Sequence, residues 1–201
     1  MKPQIIAQAA EAIILREGNK VTKRRIAKGY RIPELDEKLR KLRTRQEAKL
    51  LEKAENIISV PKLIKVDEKS KEIEMEFING DKLSEKLSTY AEKKQIKIMK
   101  QVGQETGKLH DANIIHGDLT TSNMILKDNK VYIIDFGLGY QNGRVEDKAV
   151  DLHLIKQALE AKHFQNHEKL FKSFLQGYSP KDKTQVLKQL KKVESRGRNK
   201  H

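Results

Sequence analysis

Residues 114–137 read Ile114-Ile-His-Gly-Asp118-Leu-Thr-Thr-Ser-Asn123-Met-Ile-Leu-Lys-Asp-Asn-Lys-Val-Tyr-Ile-Ile-Asp135-Phe-Gly137. Two apolar runs, Met124 to Leu126 and Val131 to Ile134, flank the polar turn Lys127 to Lys130, which is the pattern of a β-hairpin. Such a hairpin presents Asp118, Asn123 and Asp135 from one edge. Phosphoryl transfer from ATP calls for this set: one carboxylate to orient or deprotonate the acceptor, and oxygen ligands that hold magnesium against the phosphates. The competing reading is a surface hairpin whose Asp and Asn only form turns. It leaves the spacing of Asp118, Asn123 and Asp135-Phe136-Gly137 unexplained.

The composition sets outer limits. At 201 residues the chain suits one domain or two small lobes. A net charge of +14, with 35% charged residues, favours polyanionic company: nucleic acid, acidic partners or nucleotide phosphates. With no cysteine, neither disulfides nor a cysteine zinc site can hold the fold, which is compatible with a reducing compartment. No apolar run approaches the roughly 18 residues of a membrane span. Met1-Lys2-Pro3-Gln4-Ile5-Ile6-Ala7 has no long signal-type core, so the expectation is a cytoplasmic protein.

Upstream of the hairpin, residues 3–26 alternate short apolar runs with turn material, predicting three antiparallel strands, the last two joined near Gly18-Asn19. Gln8-Ala9-Ala10-Glu11 lies between the first two strands, where a phosphate-covering loop would sit, but without the glycines of such a loop. Pro33 opens a helical pattern running to about Asn56, with Glu34, Asp36 and Glu37 in its first turn. Leu35, Leu39, Leu42 and Leu50 are read as its apolar face, with Glu47 on the flank, able to point inward. Lys23, on the third strand, is its natural partner; an ordinary charged surface is the alternative for both residues. Leu63 to Val66 and Ile73 to Ile78 give two more strands, and Asn79-Gly80-Asp81 ends the second. Helical patterns follow from Leu83 to about Asn113, with Gly103 and Gly107 marking close packing. Further helices are expected at Glu146 to Ala161, Asn166 to Gln176 and Lys181 to Val193, followed by a basic tail, 194–201, of which Arg196 to His201 is expected to be mobile. Only thirteen residues separate Gly137 from Asp151, too few for an extended peptide-docking platform.

Together these residues resemble a protein-kinase-like fold, and more closely the atypical small kinase subunit of the KEOPS (EKC) tRNA-modification complex, related to the RIO kinases. The resemblance covers nearly the whole chain. It rests on Lys23-Arg24-Arg25 with Lys28-Gly29-Tyr30-Arg31, Pro33-Glu34-Leu35-Asp36, Arg43-Thr44-Arg45-Gln46-Glu47-Ala48, His116-Gly117-Asp118-Leu119-Thr120-Thr121-Ser122-Asn123, Asp135-Phe136-Gly137-Leu138, Glu146-Asp147-Lys148-Ala149-Val150-Asp151-Leu152 and Arg196-Gly197-Arg198. It implies an α+β, bilobal fold: an N-lobe, 1–79, with an antiparallel sheet and one long helix, and a mainly helical C-lobe, 80–201. It implies Asp118 as catalytic base, Asn123 and Asp135 as Mg2+ ligands, Lys23 on the ATP phosphates and Glu47 orienting Lys23. Adenine would bond to the Glu76 carbonyl and the Ile78 amide. Ala9 and Glu11 correspond to a Gly-Ala-Glu-Ala phosphate loop in relatives, from which Ala9 departs; its methyl group limits close approach of the backbone to phosphate. The resemblance further implies a serine/threonine kinase or ATPase that supports threonylcarbamoyladenosine formation on tRNA beside a partner with an actin-like ATPase fold.

His116, His110 and His153 are read as structural or surface residues. Twelve Lys or Arg against four acids between Lys20 and Lys49, and eight against two from Lys181 to His201, form basic clusters able to track RNA phosphates or simply to face solvent. A free-standing small-molecule phosphotransferase and a nucleotide-binding scaffold with little catalysis stand as alternatives.

Overall fold

The computed structural model describes residues 3–8 and 11–198. Strands β1 (Gln4–Gln8), β2 (Ala12–Glu17) and β3 (Lys20–Arg25) form an antiparallel meander, and the β2–β3 turn is the two residues Gly18-Asn19. Helix α1 (Pro33–Glu55) follows, with proline in its first turn and Glu34 and Asp36 at its positive end. Strands β4 (Leu63–Asp67) and β5 (Glu72–Glu76) complete a five-stranded sheet of order β1-β2-β3-β5-β4.

Beyond the sheet, β6 (Asp81–Lys82) leads into α2 (Leu83–Lys86) and a 3-10 turn, and then α3 (Glu92–Asp111). The single helical run expected from Leu83 to Asn113 is therefore broken. Ser88, Thr89 and Tyr90 are weak helix formers, and Tyr90 is extended, its carbonyl accepting a 2.7 Å bond from the buried Gln95 side chain. Strand β7 (Ile114–Ile115) precedes the hairpin β8 (Met124–Lys127) and β9 (Lys130–Ile133). Its turn places both Asp128 and Asn129 at positive φ, as a type I′ turn requires. β6 adds to this hairpin, and β10 (Tyr140–Gln141) pairs with β7, a strand pair that the sequence reading did not foresee.

Helices α4 (Val145–Lys162), α5 (His167–Gly177) and α6 (Lys183–Arg198) close the second lobe. The glycine-marked packing is real: a Cβ on Gly103 would strike the Phe174 carbonyl, and one on Gly177 would strike the Lys100 carbonyl. The expected tail at 194–201 is corrected, because α6 continues to Arg198. Ion pairs rather than an apolar anchor hold this end: Lys156 to Glu194 at 2.7 Å and Arg196 to Glu146 at 2.6 Å. Residues 199–201 lie outside the described residues.

Two apolar cores result. One lies within the helical lobe, around Met99, Val102, Leu152, Phe174 and Val186. The other crosses between lobes: Leu51 and Ala54 of α1 and Ile73 and Met75 of β5 pack with Leu109, Ile114, Ile133 and Phe136. The face of α1 also differs from expectation. Leu50 is buried as expected, but Leu35 and Leu42 are half exposed, whereas Asp36, Thr44, Glu47, Ala48, Leu51 and Ala54 are buried, because this helix also turns charges and small residues inward to meet the sheet.

Candidate active site

Lys23 lies on β3, and strand alternation puts Arg25 on the same face. Both are buried, and both reach Glu47 of α1: Lys23 Nζ donates to Oε1 at 2.8 Å, and Arg25 Nη2 donates to Oε2. Lys23 also donates to Asp135 Oδ1 at 2.6 Å. Burial penalises the Lys23 ammonium, but the carboxylates of Glu47 and Asp135 outweigh it and raise its pKa above the ordinary lysine value. Burial likewise disfavours ionisation of Asp135; Lys23, together with the Gly137 N–H, outweighs that and holds its carboxyl below the usual aspartate value. Asp135 sits at φ +64°, a left-handed conformation uncommon outside glycine, and the Gly137 N–H bonds its Oδ1 at 3.1 Å. A Cβ on Gly137 would lie 2.9 Å from Asp135 Oδ1, 3.2 Å from Lys23 Nζ and 3.3 Å from Arg25 Nη2, so glycine leaves these groups room to converge.

Across the cleft, Asn123 ends the 3-10 turn Thr121–Asn123 and donates through Nδ2 to Asp118 Oδ2 at 2.8 Å and to the Asp118 carbonyl at 3.0 Å. His116 supports this loop from below. Its Nδ1 accepts the Asp118 N–H at 3.2 Å, so Nε2 carries the proton and donates to the Ile134 carbonyl at 3.0 Å. Asp151 of α4 secures the other side, its oxygens accepting the N–H groups of His116 at 2.8 Å and Gly117 at 2.9 Å. Behind it, His110 Nε2 lies 3.3 Å from Asp151 and His110 Nδ1 lies 2.7 Å from the Tyr178 hydroxyl.

These elements enclose a cleft of about 600 Å³. Glu11, Lys23, Glu47, Glu76, Ile78, Asp118, Asn123 and Asp135 all line it, so the structure gathers eight of the nine sequence-predicted site residues. Ala9 lies outside the described residues. Ile14, Val21 and Met75 line it from the sheet, Ile125 and Ile134 from the hairpin. At the connector after β5, the Ile78 N–H makes no backbone hydrogen bond among the described residues. Arg25 also lines the cleft, and neither it nor Asp151, His110 and Tyr178 was assigned a role in the site from the sequence.

Among the described residues no group of three or more His, Cys, Asp or Glu side chains could hold a metal alone. Asn123 and Asp135 nonetheless fit Mg2+. With the amide nitrogen of Asn123 turned to Asp118, and Oδ1 of Asp135 turned to Lys23, each keeps an oxygen without a protein donor among the described residues. A magnesium ion held by two such hard oxygens characteristically completes its shell with phosphate and water.

Comparison with known proteins bears on the family and the fold. A family model described as "RIO domain" matches residues 19–141. The KEOPS complex subunit Bud32 of Pyrococcus abyssi is 45% identical over 183 residues, covering 89% of this chain and 83% of that protein. A probable bifunctional tRNA threonylcarbamoyladenosine biosynthesis protein of Methanobrevibacter smithii is 41% identical over 98% of this chain, which spans only 37% of that longer protein. Among solved structures, the Rio2 kinase-ADP/Mg2+-phosphoaspartate complex of Chaetomium thermophilum superposes with a TM-score of 0.63 at 16% identity, covering 98% of this chain and 71% of that one, which shows the shared fold. With its bilobal kinase-like fold and these relatives, the chain belongs to the RIO domain family.

Proposed function

We propose that this chain binds ATP with Mg2+ between an N-lobe, 1–79, and a C-lobe, 80–201, and transfers or hydrolyses the terminal phosphate in support of threonylcarbamoyladenosine formation on tRNA. The observation that carries this reading is the single cleft in which Lys23, held by Glu47, faces Asp135 while Asp118 faces Asn123. Lys23 binds the phosphates and Glu47 keeps it aimed. Asp118 accepts the proton of the attacking hydroxyl or water, with Asn123 fixing its rotamer. Asn123 and Asp135 would hold Mg2+, which when bound neutralises charge on the phosphates. The Ile78 N–H, without a backbone partner among the described residues, and the Glu76 carbonyl are suited to the adenine edge.

The names of the relatives support a KEOPS-type assembly as its setting. In this reading a cytoplasmic partner with an actin-like ATPase fold performs the tRNA chemistry, and the short stretch after Gly137 leaves this chain's own acceptor to be presented by another subunit. Either a serine/threonine side chain or water is the acceptor. The exposed Lys188, Lys191 and Lys192 of α6, without ion-pair partners among the described residues, are better placed to meet RNA than Arg45 of α1, which Glu68 already binds at 2.6 Å.

The test is ATP turnover by the chain alone, with the partner, and with partner and tRNA. Stimulation by both together supports the assembly reading; turnover of a free small molecule with no response to either overturns it. Asp118→Ala should lower turnover by roughly 10² to 10⁴ while nucleotide binding survives. Unchanged turnover removes Asp118 from the mechanism.

A further inference from the structure

Glu11 lines the cleft, yet its carboxylate is engaged elsewhere. It is bonded by Arg43 of α1, with Arg31 Nη2 at 3.6 Å and Arg25 Nη1 at 3.9 Å. Three arginines from three segments thus converge on one side chain. The Arg43 hydrogen bond is foremost in keeping the Glu11 carboxyl below the usual glutamate value, against a smaller opposing effect of burial. Its backbone is fixed as well: the Glu11 carbonyl accepts the Ile26 N–H at 3.2 Å, and the adjoining Ala12 is buried in β2. Glu11 is therefore an anchored point on the sheet, and Arg43 is the strut that runs from it to α1.

That strut lies one helical turn from Glu47. Over the first half of α1, before its apolar contacts at Ala48 to Ala54, the attachment is also ionic: Asp36 to Arg31 at 3.6 Å, Glu37 to Lys71 at 2.8 Å and Arg45 to Glu68 at 2.6 Å. A bare carboxylate beside a polyphosphate would repel it, whereas one neutralised by arginines can stand at the rim of the cleft. We propose that Glu11 is a positioning residue, which acts through Arg43 to hold α1 where Glu47 meets Lys23, and not a ligand of the nucleotide. The proposal rests on the ATP reading of the cleft for its kinetic consequence, though not for its structural one.

The test is a double-mutant cycle of Glu11→Gln and Arg43→Met on the full chain. It is read by kcat, by half-saturation for ATP and for Mg2+, and by hydrogen exchange of α1 amides without nucleotide. Each single substitution should lower kcat by about tenfold, and the double should be no worse than either single. Exchange over 44–51 should quicken in all three variants. Multiplying effects overturn the proposal, as does a Glu11→Gln change in ATP or Mg2+ half-saturation that Arg43→Met does not share, which would make Glu11 a ligand. Unaltered exchange in folded variants also overturns it. Absence of ATP turnover in the wild-type chain would instead defeat the proposed function, leaving exchange to decide the role of Glu11.

Discussion

Asp151 shows how much of the site depends on a single side chain that never faces the cleft. Its two oxygens serve the N–H groups of His116 and Gly117 and the ring of His110. An amide cannot accept at both ends, so Asp151→Asn sets an NH2 group against one of these donors. The expected outcome is a loss of roughly 1–3 kcal/mol in stability from the unsatisfied bond. Turnover should fall further than ATP affinity, because the loop carrying Asp118 is loosened; thermal denaturation and steady-state kinetics check both parts. Asp118, Asn123 and Asp135 were readable as neighbours because one short hairpin carries all three. Asp151 was not, since it meets the loop from 34 residues away and sequence shows no through-space contact. Arg25 was readable in principle, standing two residues from Lys23 on a strand whose alternate side chains share a face.

At the scale of elements, α1 is the informative failure. Its position and extent were plain from Pro33, the acidic first turn and the long helical pattern, and Leu50 is buried as expected, yet Leu35 and Leu42 of the same stripe face outward. Periodicity finds the buried face where burial is apolar, and here much of the buried face is Asp36, Thr44 and Glu47. Two substitutions separate the readings. Leu42→Gln, at a side chain 54% exposed, should change stability by no more than about 0.5 kcal/mol. Ala54→Leu, at a fully buried position, should cost about 1–3 kcal/mol through overpacking. Chemical denaturation of both variants measures the difference; the opposite order would restore the leucine stripe as the buried face. The end of α6 was missed for a related reason, since ion pairs to α4 hold residues that carry no apolar signal.

In the whole molecule, the bilobal α+β architecture was legible because strand patterns crowd the first part of the chain and helical patterns the second. The core shared between the lobes was not, because Phe136 and Ile133 carry no mark of which distant residues they will touch. Charge is the other property of the whole. With +14 distributed over 201 residues, tRNA affinity should weaken with salt on a log–log slope of roughly 0.7 to 0.9 per phosphate contacted. Binding titrations at several salt concentrations measure it, and a flat response would remove the basic surfaces from RNA binding.

The pairing of Ile114 and Ile115 with Gln141 and Tyr140 bears on the order in which the molecule assembles. The β8–β9 hairpin closes through a two-residue turn, and once formed it shortens the effective chain between β7 and β10. Joining those two strands then costs less loop entropy than their separation in sequence implies. Hydrogen exchange during refolding should show amides of β8 and β9 protected before those of Tyr140 and Gln141, so β7 acquires its last neighbour only after the β8–β9 hairpin is complete.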